Sequence, residues 1–480
     1  MDAIISAAIS SASEIFIERL RGLPPEDGRR LAALEGVVKE LTEGFCCELW
    51  RLTDGELNRQ AEDEGRVCTC GRKRQPNRSD VRISVGSGQV VFHCDYWYCK
   101  TCKVGEAPMR RWLGIHTGQV SMGVERDVTN LTTKLTFGES ATQMAEHHGQ
   151  EMDRPRLERV TYSVAEDGVE YLAERRARLR QVAESSARTT GADLVELMAD
   201  GGGVRTCNLT RPEPGEGVPV TPIRQLPRGN RNIARREVRL VTAKRPGMLS
   251  ERVTDLHIAP YNQTEVSGER MLYTAMEVGL RDNTHIHAVF DMGRWIHTQF
   301  EEQFREHDHS AVADIIHVTE YLHDAARNIV DGDQTMAWAK LRKGWLLEGR
   351  LSGVLRSLST HKCTSACKRD DEGKCLAKIA RRYLHNSRKY LDYPDAIERG
   401  FSIGSGEAES GIRHLVRSRM DVAGAWNEGN AILLLALISI RASGWWNDFW
   451  KWRNQRDIQR WHQRQKAPHG RNKGKQETAA

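Results

Sequence analysis

The chain contains no apolar run that approaches a membrane span. Its longest, Ala431 to Ile440, falls well short of the ~20 residues a spanning helix needs. The first twenty residues carry no basic start of the kind that opens a secretory leader. A soluble, cytoplasmic protein is the expectation. Extreme charge is missing too: a formal balance of +6, with 28% of residues charged, says little about partners by itself. Eleven cysteines without a sign of secretion exclude a disulfide framework as the natural reading. Clustered cysteines in a reducing compartment point to metal instead.

At 480 residues the chain is long enough for two to four domains. Residues 1–60 read as helical, with Ile15, Ile17 and Leu20, then Leu31, Leu34, Val37, Val38 and Leu41, at helical spacing. Between Cys68 and Cys102 the pattern changes to short alternating strands, Val81–Val85 and Val90–Phe92, joined by Gly86-Ser-Gly88. That is the outline of a zinc ribbon over residues 61–115. Residues 116–185 open short helices at Phe137 and Asp153 and suggest a helix-turn-helix, although many helical hairpins look alike.

A central α/β region follows over residues 186–318. Leu194-Val-Glu-Leu-Met-Ala-Asp200 and His285-Ile-His-Ala-Val-Phe-Asp291 read as strands that end on acids, with a further strand at Glu237–Ala243 and a helix at Val266–Gly279. Strands ending on acids at one sheet edge bring distant carboxylates together. The glycines at 201–203 are expected to end the first strand, and the Pro-, Gly- and Arg-rich segment Cys207–Arg236 to be an exposed loop. Residues 319–400 are helical apart from a polar loop near His361–Lys374. Residues 401–450 carry Gly404-Ser-Gly ahead of a helix through Glu409 to Met420 and then the apolar helix Ala431–Ile440. A basic tail, 451–480, closes the chain; from Lys451 to Lys475 its only acid is Asp457.

Asp200 and Asp291 are the first candidates for chemistry. A lone strand-end aspartate is ordinarily a turn residue, but two such acids with Glu409 as a third form a set able to hold two magnesium or manganese ions, which favour oxygen ligands. Glu407 competes with Glu409, and Glu409 alone is accounted for by the helix dipole with Arg413 as its i,i+4 partner. Asp314-Ile-Ile-His317 puts a carboxylate and an imidazole on one helical face. For structural zinc the ligands are Cys68, Cys70, Cys99 and Cys102, with Cys94 or His93 as alternatives because Cys68-Thr-Cys70 is one residue shorter than the usual knuckle. A second zinc set is His361, Cys363, Cys367 and Cys375; its spacing matches no standard knuckle, so surface cysteines in a polar loop weigh equally. Trp445, Trp446 and Phe449 read as packing groups, whereas Arg453, Arg456 and Arg460 suit phosphate, as do Arg413, Arg417 and Arg419 beside the third acid.

The segments Asp200-Gly-Gly-Gly-Val-Arg205, Phe290-Asp-Met-Gly-Arg-Trp-Ile296, Asp314–His317 and Gly404-Ser-Gly-Glu-Ala-Glu-Ser410, with Arg419-Met420 and Gly424-Ala-Trp426, resemble the bacterial insertion-sequence transposases of the ISKra type, relatives of the Mutator elements. The resemblance covers roughly residues 60–450 and is most specific from Gly404 to Trp426. It implies a multidomain α/β protein with a ribonuclease-H-like catalytic domain, an all-helical insertion and an Asp, Asp, Glu triad. By position these are Asp200, Asp291 and Glu409, with Asp314 and His317 as an Asp-x-x-His motif and His317 contacting DNA or orienting a ligand. It further implies binding of double-stranded DNA at terminal inverted repeats, metal-dependent strand cleavage and transfer, a homo-oligomer such as a dimer on paired ends, and a place at the bacterial nucleoid. Two rivals stand beside it: a non-catalytic DNA-binding descendant, and a nuclease that cuts without joining.

Overall fold

The computed structural model describes residues 2–24, 31–109, 113, 119–184, 192–209, 231–247, 252–259, 263–421 and 424–466. The chain forms two compact units, Met1–Val164 with Trp450–Ala480, and Ala165–Phe449.

The first unit opens with two helices, α1 (Asp2–Gly22) and α2 (Leu31–Gly65). A hairpin of β2 (Asp80–Val85) and β3 (Gly88–His93) packs on α2 through Val81, Ile83, Val85, Val90 and Phe92. Trp50 meets Phe92 edge-on at 5.9 Å and donates its indole N–H to the Ser87 hydroxyl. A three-stranded sheet in the order β1-β4-β5 joins Gln75–Asn77, Tyr96–Cys99 and Val104–Glu106. Three helices follow, α3 (Met122–Thr132), α4 (Phe137–His148) and α5 (Arg154–Glu184), so the expected helical pair is preceded by a third helix. Ser121 caps α3, and Thr136 with Glu139 forms a full capping box on α4. The hairpin and these helices are tied together: the Ser84 and Ser121 backbones bond, and Arg156 donates to the Ser84 hydroxyl.

The second unit is built on a five-stranded sheet in the order β10-β9-β6-β7-β8: His309–Ala313, His285–Phe290, Leu194–Leu209, Arg231–Lys244 and Arg252–Ile258. The first three strands in sequence, β6, β7 and β8, are antiparallel; β9 and β10 add in parallel on the other side of β6. Alternating side chains feed two cores, as the pleat requires. Leu197, Ala199, Val241, Ile286, Ala288 and Phe290 face α6 (Glu265–Glu277) and α7 (Arg294–Gln303). Met198, Val204, Val238, Leu240, Val289 and Val312 face the other way. There they meet α8 (Ile315–Ala326), the helices α9 (Thr335–Leu347), α10 (Leu351–Ser359), α11 (Leu376–Asn386) and α12 (Tyr393–Glu398), and the later helices α13 (Gly406–Gly411) and α15 (Glu428–Ala442). Between α13 and α14 (Ser418–Met420) the chain makes a π-helical turn, Ile412–Arg417. The last helix, α16 (Trp446–Lys466), gives residues to both units, as α5 does.

Two expectations are corrected. The strand carrying Asp200 does not end at the glycines: β6 runs on to Leu209, hydrogen-bonded to β7 throughout. What stops at Ala199, opposite Phe290, is the parallel pairing with β9. The antiparallel partner keeps the ladder satisfied through Gly201–Gly203, so no turn is needed there. Accordingly Cys207–Leu209 and Arg231–Arg236 are strand rather than loop; residues 210–230 lie outside the described residues. No single helix among the described residues is long and apolar enough to cross a membrane.

Candidate metal centre and groove

Where β9 stops and β6 continues, a gap opens at the sheet centre, and Asp200 and Asp291 flank it. Ligand atoms of Asp200, Asp291 and His317 lie within 4.8 Å of one another, and all three residues are half-buried. Asp200 Oδ1 accepts the Gly201 amide at 2.7 Å, and Asp291 Oδ1 accepts the Gly293 amide at 2.8 Å. Burial lifts the Asp200 carboxyl above the usual aspartate range against the pull of the Gly201 amide, and the Asp291 charge adds to the rise. For His317, burial works against the charged form, but Asp314, Asp291 and Glu320 outweigh it and hold the imidazole above its ordinary value. Two carboxylates and an imidazole at this spacing could hold a metal ion.

Asp314 has a different part. It is fully buried, caps α8 by accepting the Ile316 amide, and takes both the Ser405 amide and the Ser405 hydroxyl. Its own amide donates to the carbonyl of Phe290, the residue before Asp291. The Asp-x-x-His and Gly-Ser-Gly segments, far apart in sequence, are thus one hydrogen-bonded assembly. Glu196 strengthens it by accepting the Ser402 amide and hydroxyl, and His287 bonds the Ser402 carbonyl at 2.8 Å. Asp314 is a positioning residue for the loop that leads into α13.

Glu409 stands on α13, outside the 4.8 Å group, with its carboxylate 3.8 Å from Arg413. The turns after it cross β6 and β7 near Asp200: a Cβ on Gly411 would meet Leu240, the register partner of Asp200, and one on Gly202 would meet Ile412. Glu407 is taken up by Lys244, which also approaches Glu196, and it too stands outside the 4.8 Å group.

A groove of about 570 Å³ extends from Asp200 and Asp291 along Gly201–Gly203, lined further by Arg235, Arg236, Glu237, Trp295 and Arg417. Side chains close over these glycines: a Cβ on Gly201 would press on Glu237, and one on Gly203 would overlap the Arg235 side chain, so each would have to shift to admit it. Of the arginines expected to meet phosphate, Arg417 is exposed and lines this groove, and Arg413 and Arg460 are exposed. Arg456 is half-buried over Trp452. Arg419 and Arg453 are corrected. Arg419 is buried with its guanidinium 4.9 Å from the Trp426 ring, and Arg453 is buried in an ion pair with Glu125. Phe449 is buried against Tyr171, and Trp445 and Trp446 are half-buried, in line with packing roles. Sequence reading missed Trp295, Arg235 and Arg236; Trp295 sat in a segment already singled out, but only the fold shows that it lines the same groove as Asp200.

Two cysteine clusters could hold zinc. In the first unit the sulfurs of Cys68, Cys70, Cys99 and Cys102 lie within 4.8 Å of one another, with Cys70 and Cys99 3.8 Å apart. Tetrahedral zinc with bonds of about 2.3 Å sets its sulfurs about 3.8 Å apart. The short Cys-x-Cys turn works because Gly71 takes a positive φ of 79° and returns its amide to the Cys68 carbonyl. The Cys70 backbone N–H pulls the Cys68 thiol down to about 6, while neighbouring sulfurs, Cys70 first, push Cys102 up to about 12. The alternatives drop out: Cys94 is buried in the hairpin core, and His93 is held by Asp54. In the second unit His361 Nε2 lies 3.2 Å from Cys367 Sγ and 3.6 Å from Cys375 Sγ, and Cys363 interacts with both thiols. Asn328, in the turn after α8, clamps this loop through the Lys368 backbone and Cys375 Sγ.

No protein-family model matches the chain, and no curated protein matches it.

Proposed function

We propose that the chain is a DNA transposase whose second unit is a ribonuclease-H-like catalytic domain. The observation that carries this is the convergence of Asp200, Asp291 and His317 at the centre of the sheet. The sheet supports it: three antiparallel strands followed by two parallel ones on the far side of the first, with acids beside the first and fourth strands. Between β10 and α13 lies a run of helices with its own cysteine loop, the expected helical insertion.

In this reading Asp200 and Asp291 hold the divalent ions and Glu409 completes their ligand set when DNA is engaged. Bound magnesium or manganese would activate the attacking oxygen and neutralise charge on the phosphate undergoing exchange. The protein's own residues do the rest. Asp200 and Asp291 are oriented by the Gly201 and Gly293 amides; Asp314, through Ser405, fixes the approach of α13; His317 stands beside both carboxylates to hold a ligand or a phosphate oxygen. Arg417 and Arg235 bring positive charge along the groove. The ribbon and the three helices of the first unit are assigned to recognition of terminal inverted repeats, with two or more copies on paired ends.

The test is a strand-transfer assay with duplexes taken from the DNA that flanks the gene, in magnesium or manganese. The expected result is cleavage leaving 3′ hydroxyls and joined products, both lost in Asp200→Ala, Asp291→Ala and Glu409→Gln. Cleavage without any joined product would replace this reading with that of a nuclease. Activity that survives Asp200→Ala with Asp291→Ala would end the metal-site assignment.

A further inference from the structure

Beneath the groove lies a buried polar chain that the proposed chemistry does not use. Arg239 is fully buried on β7. Its Nε donates to Glu237 at 3.1 Å and its Nη1 to the Ser267 hydroxyl at 2.8 Å. Ser267 in turn contacts His257 Nε2, and His257 Nδ1 contacts Asp255, each at 2.9 Å; Arg270 closes the chain on Asp255 at 3.0 Å. One set of donors satisfies every link, with Ser267 donating to His257 and His257 to Asp255. Serine, histidine and aspartate in this order invite comparison with a hydrolytic triad, but Ser267 is wholly buried, so no substrate reaches it.

The chain leads instead to one ring. The Arg239 guanidinium lies 4.4 Å from the centre of Trp295, and its Nη2 has no hydrogen-bond partner among the described residues. Burying Arg239 with Ser267 and His257 is costly unless the arrangement is fully determined. Here it fixes a half-buried indole on the first turn of α7, four residues after Asp291, in the groove that Asp200, Arg235 and Arg417 also line. A rigid aromatic face beside arginines is the chemistry that receives a nucleobase while cations hold the backbone.

We propose that Trp295 is the platform on which one unpaired DNA base beside the cut phosphate stacks. The inference rests on the transposase reading for the identity of the cut, but base stacking itself can be measured without cutting. A base paired in a duplex has both faces covered by its neighbours, so the nucleotide must leave the stack to lie on the ring.

The experiment uses the full-length protein and duplex oligonucleotides carrying a single unpaired 2-aminopurine, in calcium so that no cleavage intervenes. Removal of a stacking aromatic costs about tenfold to a hundredfold in binding. Trp295→Ala is expected to weaken binding of the unpaired probe by that factor and to leave the 2-aminopurine bright, while Trp295→Phe keeps most of both signals. Binding of a fully paired duplex should change far less. Equal affinity and equal quenching for Trp295→Ala and the unaltered protein would overturn the platform. If stacking is seen but Asp200→Ala cuts normally, the catalytic reading fails and the platform stands. In the strand-transfer assay, Trp295→Ala is expected to cut paired ends about tenfold to a hundredfold more slowly and to recover on ends mismatched at the cut; equal rates on both would also count against it.

Discussion

Among single residues, Asp314 illustrates how a motif can be visible while its work is not. Its spacing to His317 marks it out, yet its carboxylate is spent on the α8 cap and on Ser405, 91 positions away. Losing the cap costs about 1 kcal/mol, and each buried donor left without an acceptor costs about 1–3 kcal/mol more. Asp314→Ala should therefore lower the stability of the second unit by about 3 kcal/mol or more, seen as a fall in the urea midpoint, and Asp314→Asn should retain part of it. Asp200 and His317 make a prediction about pH. Both hold their protons to higher pH than an ordinary aspartate or histidine, so a cation bound there must expel them. Manganese affinity, followed by calorimetry, is expected to tighten as pH rises from the ordinary aspartate range through the raised histidine value. Affinity flat across that window would mean that neither group is a ligand. In the metal-free protein the sign for His317 is opposite: its stabilising charge is fully present below the ordinary histidine value and fades as pH climbs through the raised one.

At the scale of elements, much could be read from the chain because apolar alternation and helical spacing report which face is buried. The strands at Leu194, Glu237 and His285, the helical segment after Val318, and the cysteine loop at His361 all stand where their patterns put them. The strand β8 was not read, nor the continuation of β6 beyond Asp200, since glycine and arginine normally signal a turn and only the partner strand β7 reveals a ladder. That continuation also shows why Gly202 has no side chain. Gly202→Val would push into Ile412 in the packed core and is expected to cost about 1–3 kcal/mol, with a matching loss in melting temperature. The edge of β8 is covered by an unusual device: the hydroxyls of Ser439 on α15 and of Ser443, the residue that follows that helix, accept the amides of Leu256 and Thr254. An otherwise open strand edge is thereby closed to pairing with another chain. For the cysteine loops, metal analysis should find two zinc ions per chain, with one lost in Cys70→Ser with Cys102→Ser and the other in Cys367→Ser with Cys375→Ser. A single ion in the unaltered protein would remove one of the two sites.

For the molecule as a whole, the division into two units was only half legible. The modules follow one another in sequence as expected, but the basic C-terminal segment, read as a phosphate-binding tail, contributes a buried residue to the first unit. A run of positive charge does not show which arginine turns inward; the Arg453 and Glu125 pair is formed by residues that no local pattern connects. Breaking a buried ion pair from one side costs about 3–5 kcal/mol. Arg453→Met should accordingly lower the first unit's melting transition and speed hydrogen exchange there, with the smallest change in the second unit's sheet, whereas a loss spread evenly over both would contradict the division.

That closure sets an order of events during synthesis. Arg453 leaves the ribosome after every residue of the second unit has been made, so Glu125 waits without its cation while the whole sheet and its helices emerge. The part of the protein begun first is the last to be finished.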